Sequence, residues 1–494
     1  RFAGTVERNF SHALLRDVAY ESVLKRLRHE YHSLAADWLI ENSGDRLGES
    51  SGLIGDHLAQ SGRDEEAFHY LIQAARLAVN ASANQEAIDY LLNALRLLEN
   101  QPKTAELVEQ KLDLLTQLGR LYYVVNGFSS REVLQTFEKA QTLIQKGGAP
   151  HQRFAVLQGL SGSAIGRGEW RKALAYAEQL LQMAEVSNHI TLRLWAHHSL
   201  AMVNYHSGKI IAAKEHFDAL LDLYDPERHG KQFRRIIEDP RLRALTYLSW
   251  IYWELGYPEK STTYSETALL EAENLDHPFT MVDTLLTLAL MHLFYRSPAE
   301  KVLEFTTRTM SLADKENVPD YWAWAAIAHG WALIKLGKPT GAMELMNRAF
   351  GSLLDRESKL SITFSLKQLS EAYQMMGELE KALEMAEYAL VQAEETGERF
   401  LESELYRLKG DLQWQNNADP LEAETLYKKA LEIAQDQQAK SFELRAAMSL
   451  ARLRQDQGKT NEAHALLSAV YSWFTEGFDT ADLQEARVLL DELA

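Results

Sequence analysis

The sequence repeats itself about every 40 residues, and few folds accommodate such a period. Helix-length segments end at turn formers: Gly127, Gly168, Gly208, Gly256, Arg296-Ser297, Gly337, Gly377, Asn416-Asn417 and Gly458. Counted from Arg296 and Asn417, their spacings are 41, 40, 48, 40, 41, 40, 40 and 41. A period of this size means helical hairpins, each unable to bury its apolar face alone and therefore stacked on its neighbours. Glycine suits the turn because a helix commonly ends on a residue at positive φ, with Asn the next best choice.

The second helix of each hairpin repeats as well. Small residues stand five positions after the turn at Ala173, Ala213, Ala342, Ala382 and Ala463. Core positions follow at Ala177, Phe217, Met346, Ala386 and Leu467, then at Leu180, Leu220, Ala349, Ala389 and Val470. Offsets of four and three put each trio on one helical face, and the small side chains let helices approach closely. No strand-like alternation of useful length interrupts this pattern.

The unit Leu366, Leu369, Ser370, Tyr373, Gly377, Ala382, Ala386, Ala389 resembles the tetratricopeptide pattern, at a longer period than the usual 34. The resemblance implies that first helices line a concave face through positions 2, 5, 9, 12 and 13, counting the turn residue as 15. That numbering gives Trp195, His198, Met202, Tyr205 and His206, then Arg243, Thr246, Trp250, Trp253 and Glu254. The next two hairpins give Asp283, Leu286, Leu290, Leu293 and Phe294, then Trp324, Ile327, Trp331, Ile334 and Lys335. From these, Trp195, His198, Arg243, Trp250, Trp253, Phe294, Trp324 and Trp331 are the candidate partner-binding residues. Two readings stay open: an aromatic binding strip, or a tightly wound superhelix whose inner faces bury one another.

Both ends carry more specific patterns. Phe10, His12, Ala13, Leu14, Asp17, Ala19 and Tyr20, then Leu24, Arg28 and His32, resemble the junction in STAND-type signalling ATPases that leads into a helical repeat sensor. The tail from Val470 to Leu483, including Trp473, Phe474, Gly477 and Phe478, resembles the C-terminus of bacterial proteins joining a class III adenylate/guanylate cyclase, such an ATPase and tetratricopeptide repeats. The internal segments Leu255-Gly256-Tyr257-Pro258 and Glu398-Arg399-Phe400 agree with it. The resemblance implies a sensor or scaffold arm, with ATPase and cyclase domains in cis upstream of Arg1. It also suggests that His12 lies near nucleotide in the full-length parent, against the alternative of packing within the junction helix.

Chemistry within the chain itself is sparse. Gly458-Lys459-Thr460 looks like the end of a phosphate loop, but position 453 is Leu where that loop needs Gly, and the segment falls on a repeat turn. His29 and His32 lack the i, i+4 spacing of a zinc-protease helix, and His197 and His198 point about 100° apart on a helix. No strand–turn–helix context presents a serine nucleophile. The basic island Arg228, Lys231, Arg234, Arg235, Arg241 and Arg243 reads as a solvated loop or an anion contact at the groove's rim. Cysteine is absent, which excludes disulfides and thiolate metal sites and suits a reducing cytoplasm. A formal charge of −18 argues against a nucleic-acid surface, and no window is apolar enough to cross a membrane.

The expectation is an all-α, right-handed superhelical α-solenoid of about 40 residues per repeat. Residues 1–47 form a junction, 48–476 the repeats and 477–494 a capping helix. The chain is expected to be non-enzymatic, without metal or cofactor, and to bind a protein, peptide or small ligand in its groove while modulating an attached cyclase–ATPase. The alternatives are a free-standing peptide-binding adaptor and the repeat arm of a STAND-type transcription regulator.

Overall fold

The computed structural model describes residues 12–81, 83–99, 101, 104–145, 147–187, 189–227, 239–275, 277–416 and 419–494. Every regular element among them is helical: 24 α-helices and one short 3-10 turn. None of these helices is long and apolar enough to cross a membrane. The chain divides into two compact units, Arg1–Val125 with Glu132–Val156, and Asn126–Arg131 with Leu157–Ala494. These limits differ from the boundaries expected at 47 and 476. The helix Lys25–Asn42 packs on Leu47–Ser61 through Ala36, Leu39, Ile54 and Leu58. The final helix Ala481–Leu493 packs on the last hairpin through Leu483, Ala486 and Leu489. Neither end segment therefore stands apart.

The second unit follows the repeat register closely. Ala173, Ala177, Leu180, Ala213, Phe217, Leu220, Ala382, Ala386 and Ala389 are all fully buried. Helix starts are encoded locally: Asp239 precedes Pro240 and accepts the Arg241 amide at 2.8 Å, and Asp419 does the same for Leu421 ahead of Pro420 at 2.9 Å. Helix ends are encoded too. Gly256 has φ 87°, and Arg296 adopts the same left-handed region, φ 52°, where the repeat lacks its glycine.

A second kind of contact closes the winding of this unit. The last carbonyls of a helix have no partner within it. The Gly166 carbonyl accepts the Lys359 amide at 2.8 Å, and the His206 carbonyl accepts the Arg399 amide at 2.7 Å. The Trp253 carbonyl accepts the Ser441 hydroxyl at 2.6 Å, and the Phe294 carbonyl accepts the Arg445 guanidinium. Four successive first helices, Pro150–Gly166, Ile190–His206, Pro240–Glu254 and Pro278–Phe294, are thus capped by residues far along the chain.

The internal and tail segments that carry the family resemblance build this seam. Glu398 accepts the Ser361 and Thr363 amides at 2.8 and 3.0 Å, capping the helix Ile362–Met375, while Phe400 packs on Tyr205 and His206. At Gly256, an added Cβ would lie 2.6 Å from the Trp473 ring and 3.0 Å from Phe474. Gly477 presses on Pro258 in the same way. Those motifs read here as packing chemistry.

Candidate functional site

The seam settles the two readings of the inner face. Trp195, His198, Arg243, Trp250, Trp253, Phe294 and Trp324 are all buried, Trp250 and Trp253 at 4% and 3% exposure. Of the two readings left open, the burial favours the wound core, so these seven do not line an open aromatic strip. Trp250 donates its indole N–H to the Thr287 carbonyl at 3.1 Å and packs against Phe294. Trp253 is held between Phe294, Phe442 and the Arg445 guanidinium, which stands 4.7 Å over its ring. Trp324 stacks with Phe128 and meets Tyr321 edge-on. Trp195 meets His198 edge-on. Arg243 is no rim anchor; it pairs with Asp283 at 2.8 Å inside the unit. Of the eight candidates only Trp331 is half-exposed.

The other sequence candidates separate. His12 is exposed at the start of the helix Ala13–Ser22 and makes no side-chain cap there. Phe10 and the basic residues Arg228, Lys231, Arg234 and Arg235 lie outside the described residues. Arg241 is bound to Glu271 by two hydrogen bonds, at 2.9 and 2.8 Å. His32 pairs with His57 at 2.7 Å, and His197 with His216 at 3.0 Å; burial lowers the basicity of all four. No cluster of three His, Asp or Glu side chains among the described residues could hold a metal ion.

The second unit does keep an open cavity, of about 510 Å³, at later hairpins. Trp331, Lys335, Phe364, Lys367, Gln368 and Glu371 line one part of it. Glu404, Arg407, Asp411, Trp414, Arg445 and Arg452 line another, with Arg296 and Glu485 at the edge. Extended to the hairpins ending at Gly377, Asn417 and Gly458, the concave numbering yields Lys367, Glu371, Glu404, Arg407, Asp411, Trp414, Arg445 and Arg452. The four hairpins treated from sequence above do not include them, so the signal was present but lay further along the repeat.

The cavity floor is a network of ion pairs. Lys367 meets Glu371 at 2.6 Å, and Trp331 donates to the same carboxylate at 3.1 Å. Arg407 spans Glu404 and Asp411 at 2.8 and 2.5 Å. Arg445 binds Asp482 at 2.7 Å and Glu404 at 3.4 Å. Arg452 and Arg296 both reach Glu485. Five cations thus meet five carboxylates, Asp482 included, in a chain whose formal charge is −18. Burial pushes the Glu404 carboxyl up, but Arg407 and Arg445 outweigh it and hold it at about 2. For Glu485, Arg296 and Arg452 likewise outweigh burial and lower its pKa. Carboxylates held this firmly ionised are poor proton shuttles near neutral pH, and the arrangement suits recognition.

Two groups remain available to a ligand. Gln368 lines the cavity, but its side-chain carbonyl is sealed from solvent and has no hydrogen-bond partner among the described residues. Trp414 is half-exposed, and the Lys335 side chain is exposed with no ion pair among the described residues.

No family model matches the chain. The uncharacterized protein R02095 of Rhizobium meliloti (strain 1021) is 24% identical over 467 residues, an alignment covering 92% of this chain and 44% of that protein. The chain therefore spans less than half the length of this curated relative. Among solved structures, NprR in complex with its cognate peptide NprX superposes with a TM-score of 0.50 at 14% identity, covering 74% of this chain and 98% of NprR. The chain shares this tetratricopeptide-type solenoid fold. A Rap protein complexed with competence and sporulation factor gives a TM-score of 0.47 at 12% identity, over 71% and 99% of the two chains. The STAND protein PH0952 from Pyrococcus horikoshii, which has a tetratricopeptide repeat sensor, gives 0.36 at 13% identity, over 87% and 74%.

Proposed function

We propose that this chain is a non-catalytic regulatory arm that binds a short peptide in the Trp331–Trp414–Arg452 cavity. The observation that carries this reading is the cavity itself. Its lining comes from the concave positions of consecutive hairpins, its floor is fixed by paired charges, and the half-exposed Trp414 and the exposed Lys335 stand at it ready for a ligand. A preorganised polar floor with aromatic edges recognises an extended backbone at little conformational cost. The shared fold with NprR, which was solved with a peptide, supports the same class of ligand.

The effector belongs to the same proposal. The end motifs resemble those of cyclase–ATPase signalling proteins, and the relative is more than twice as long as the matched region. Peptide binding would favour one docking state of the arm and so bias an attached STAND-type ATPase and class III cyclase in the cytoplasm. The arm would supply recognition only, with no turnover of ATP.

The test is to pan a phage-displayed random heptapeptide library on the 494-residue chain, then measure the enriched peptides by calorimetry. A peptide family whose affinity drops by about tenfold or more in Trp414→Ala and in Lys335→Ala is the expected result. Enrichment of no sequence, or of peptides indifferent to both substitutions, overturns the cavity as the binding site.

A further inference from the structure

The helix Lys25–Asn42 is apolar on two sides. Ala36, Leu39 and Ile40 belong to the core beneath it, where they meet Ile54, Leu58 and Ala67. Leu27, Tyr31, Leu34 and Trp38 recur at intervals of four, three and four residues. At 100° per residue this second row points roughly 160° away from the first. It is exposed: Tyr31 by 56% and Leu34 by 60%, with Leu24 just ahead of the helix at 72%. The preceding helix Ala13–Ser22 adds Leu14 at 80% and Val18 at 67%, one turn apart.

This concentration is local. Nine of the large apolar side chains left exposed among the described residues fall between Leu14 and Trp38, and the other fourteen are spread over the rest of the chain. A dense exposed apolar patch marks an interface. The other end of the chain shows the contrast. There Ala481–Leu493 covers the last hairpin with Leu483, Ala486, Leu489 and Leu493 and turns Gln484, Arg487, Asp491 and Glu492 to solvent. A solenoid needs such a polar-faced cap at each end. Among the described residues only the C-terminal one is present.

We propose that the Leu14–Trp38 face is the docking surface for a folded domain that precedes this region in a longer polypeptide. This inference rests on the reading of the chain as one arm of a larger protein. The relative aligned over 467 residues has more than half of its length outside the match, ample for such a domain. The partner surface it calls for is apolar. The charges around the patch are mixed: Lys25, Arg26, Glu30 and Glu41 are all exposed, with no ion pair among the described residues. Docking there would couple the arm mechanically to what lies upstream.

The absence of cysteine makes the test direct. Leu24→Cys and Leu34→Cys are labelled one at a time with a maleimide and located by peptide mass spectrometry. The comparison is between the 494-residue chain and the natural protein extended upstream of Arg1, with Val186→Cys as an exposed control. The expected result is fast labelling of both sites in the shorter chain. In the longer protein labelling slows by roughly tenfold or more at both sites and is unchanged at Val186→Cys. Equal rates in the two proteins overturn the proposal. So does protection already present in the shorter chain that grows with its concentration, which identifies a second copy. Protection appearing only with phosphatidylglycerol vesicles identifies a membrane surface instead and overturns it too. A gene encoding no folded domain before Arg1 removes the partner altogether. None of these outcomes touches peptide binding in the cavity; the labelling outcomes also leave the attached effector standing, and only the absence of an upstream domain would remove both. As a second variant, Leu24→Asp/Leu34→Asp leaves the thermal midpoint of the shorter chain unchanged and restores fast labelling at a Tyr31→Cys site in the longer protein. Continued protection at that site also counts against the face.

Discussion

Tyr205 donates its hydroxyl to Glu254 at 2.7 Å, and both side chains are sealed from solvent. The second carboxyl oxygen of Glu254 has no partner, as befits a protonated acid. Burial is the main cause that lifts its pKa from 4.5 to about 8, against the smaller opposing effect of the Tyr205 hydrogen bond. A carboxyl whose folded pKa is raised stabilises fully below its unfolded pKa and loses that contribution as pH rises through the folded value. Stability should therefore fall between about pH 5 and pH 8, by on the order of 1 kcal/mol per pH unit from this group. His206, Tyr247 and Glu398 surround the pair, so the check is a difference: thermal midpoints of wild type and Glu254→Gln across that range, with the slope reduced in the variant.

Trp250→Ala should act on the fold. The indole is buried and bonded to Thr287, and its removal leaves a cavity costing about 3–5 kcal/mol. Denaturant titration checks this. A stability near wild type would return the residue to an open surface.

Two glycines with the same backbone conformation should differ. At Gly377 an added Cβ meets nothing within 4 Å, so Gly377→Ala costs only the left-handed backbone penalty, about 1–2 kcal/mol. At Gly256 the same methyl meets Trp473, Phe474 and Lys440, which adds an overpacking cost of about 1–3 kcal/mol. Equal chemical stabilities of the two variants would contradict the seam.

Ala382→Leu offers a test of the repeat register. Ala382 is fully buried, and Ser370 donates to its carbonyl at 2.7 Å, so the larger side chain should cost about 1–3 kcal/mol, read as a lower thermal midpoint.

Arg445→Met removes the guanidinium that joins Asp482, Glu404 and the Phe294 carbonyl. Leaving two buried carboxylates without it should cost about 3–5 kcal/mol. Hydrogen exchange should quicken across Ala481–Leu493, because Asp482 is that helix's tie to Arg445.

The local grammar of this chain was legible residue by residue. Gly256, Ala382 and the concave numbering through Trp331 all fall where the period puts them, and the same count continued to Asn417 reaches Arg407 and Trp414. Burial of Trp250 and Trp253 was not legible. It depends on how tightly the hairpins wind, and the winding is held by partners such as Ser441 and Trp253, 188 positions apart. A period describes neighbours; it carries no information about which distant turn a helix end will meet. The count reaches the cavity residues, but which stretch of the concave face stays open follows from where the seam closes, which the period does not encode.

The bond from Ser441 to the Trp253 carbonyl also changes how the second unit should come apart. A stack held only by adjacent hairpins frays from its ends and loses repeats one at a time. Here the loss of either end withdraws partners from helices in the interior of the sequence, so damage does not stay where it starts. The unit should melt as one block, and its assembly should wait on encounters between distant segments, which makes folding slow for an all-helical chain.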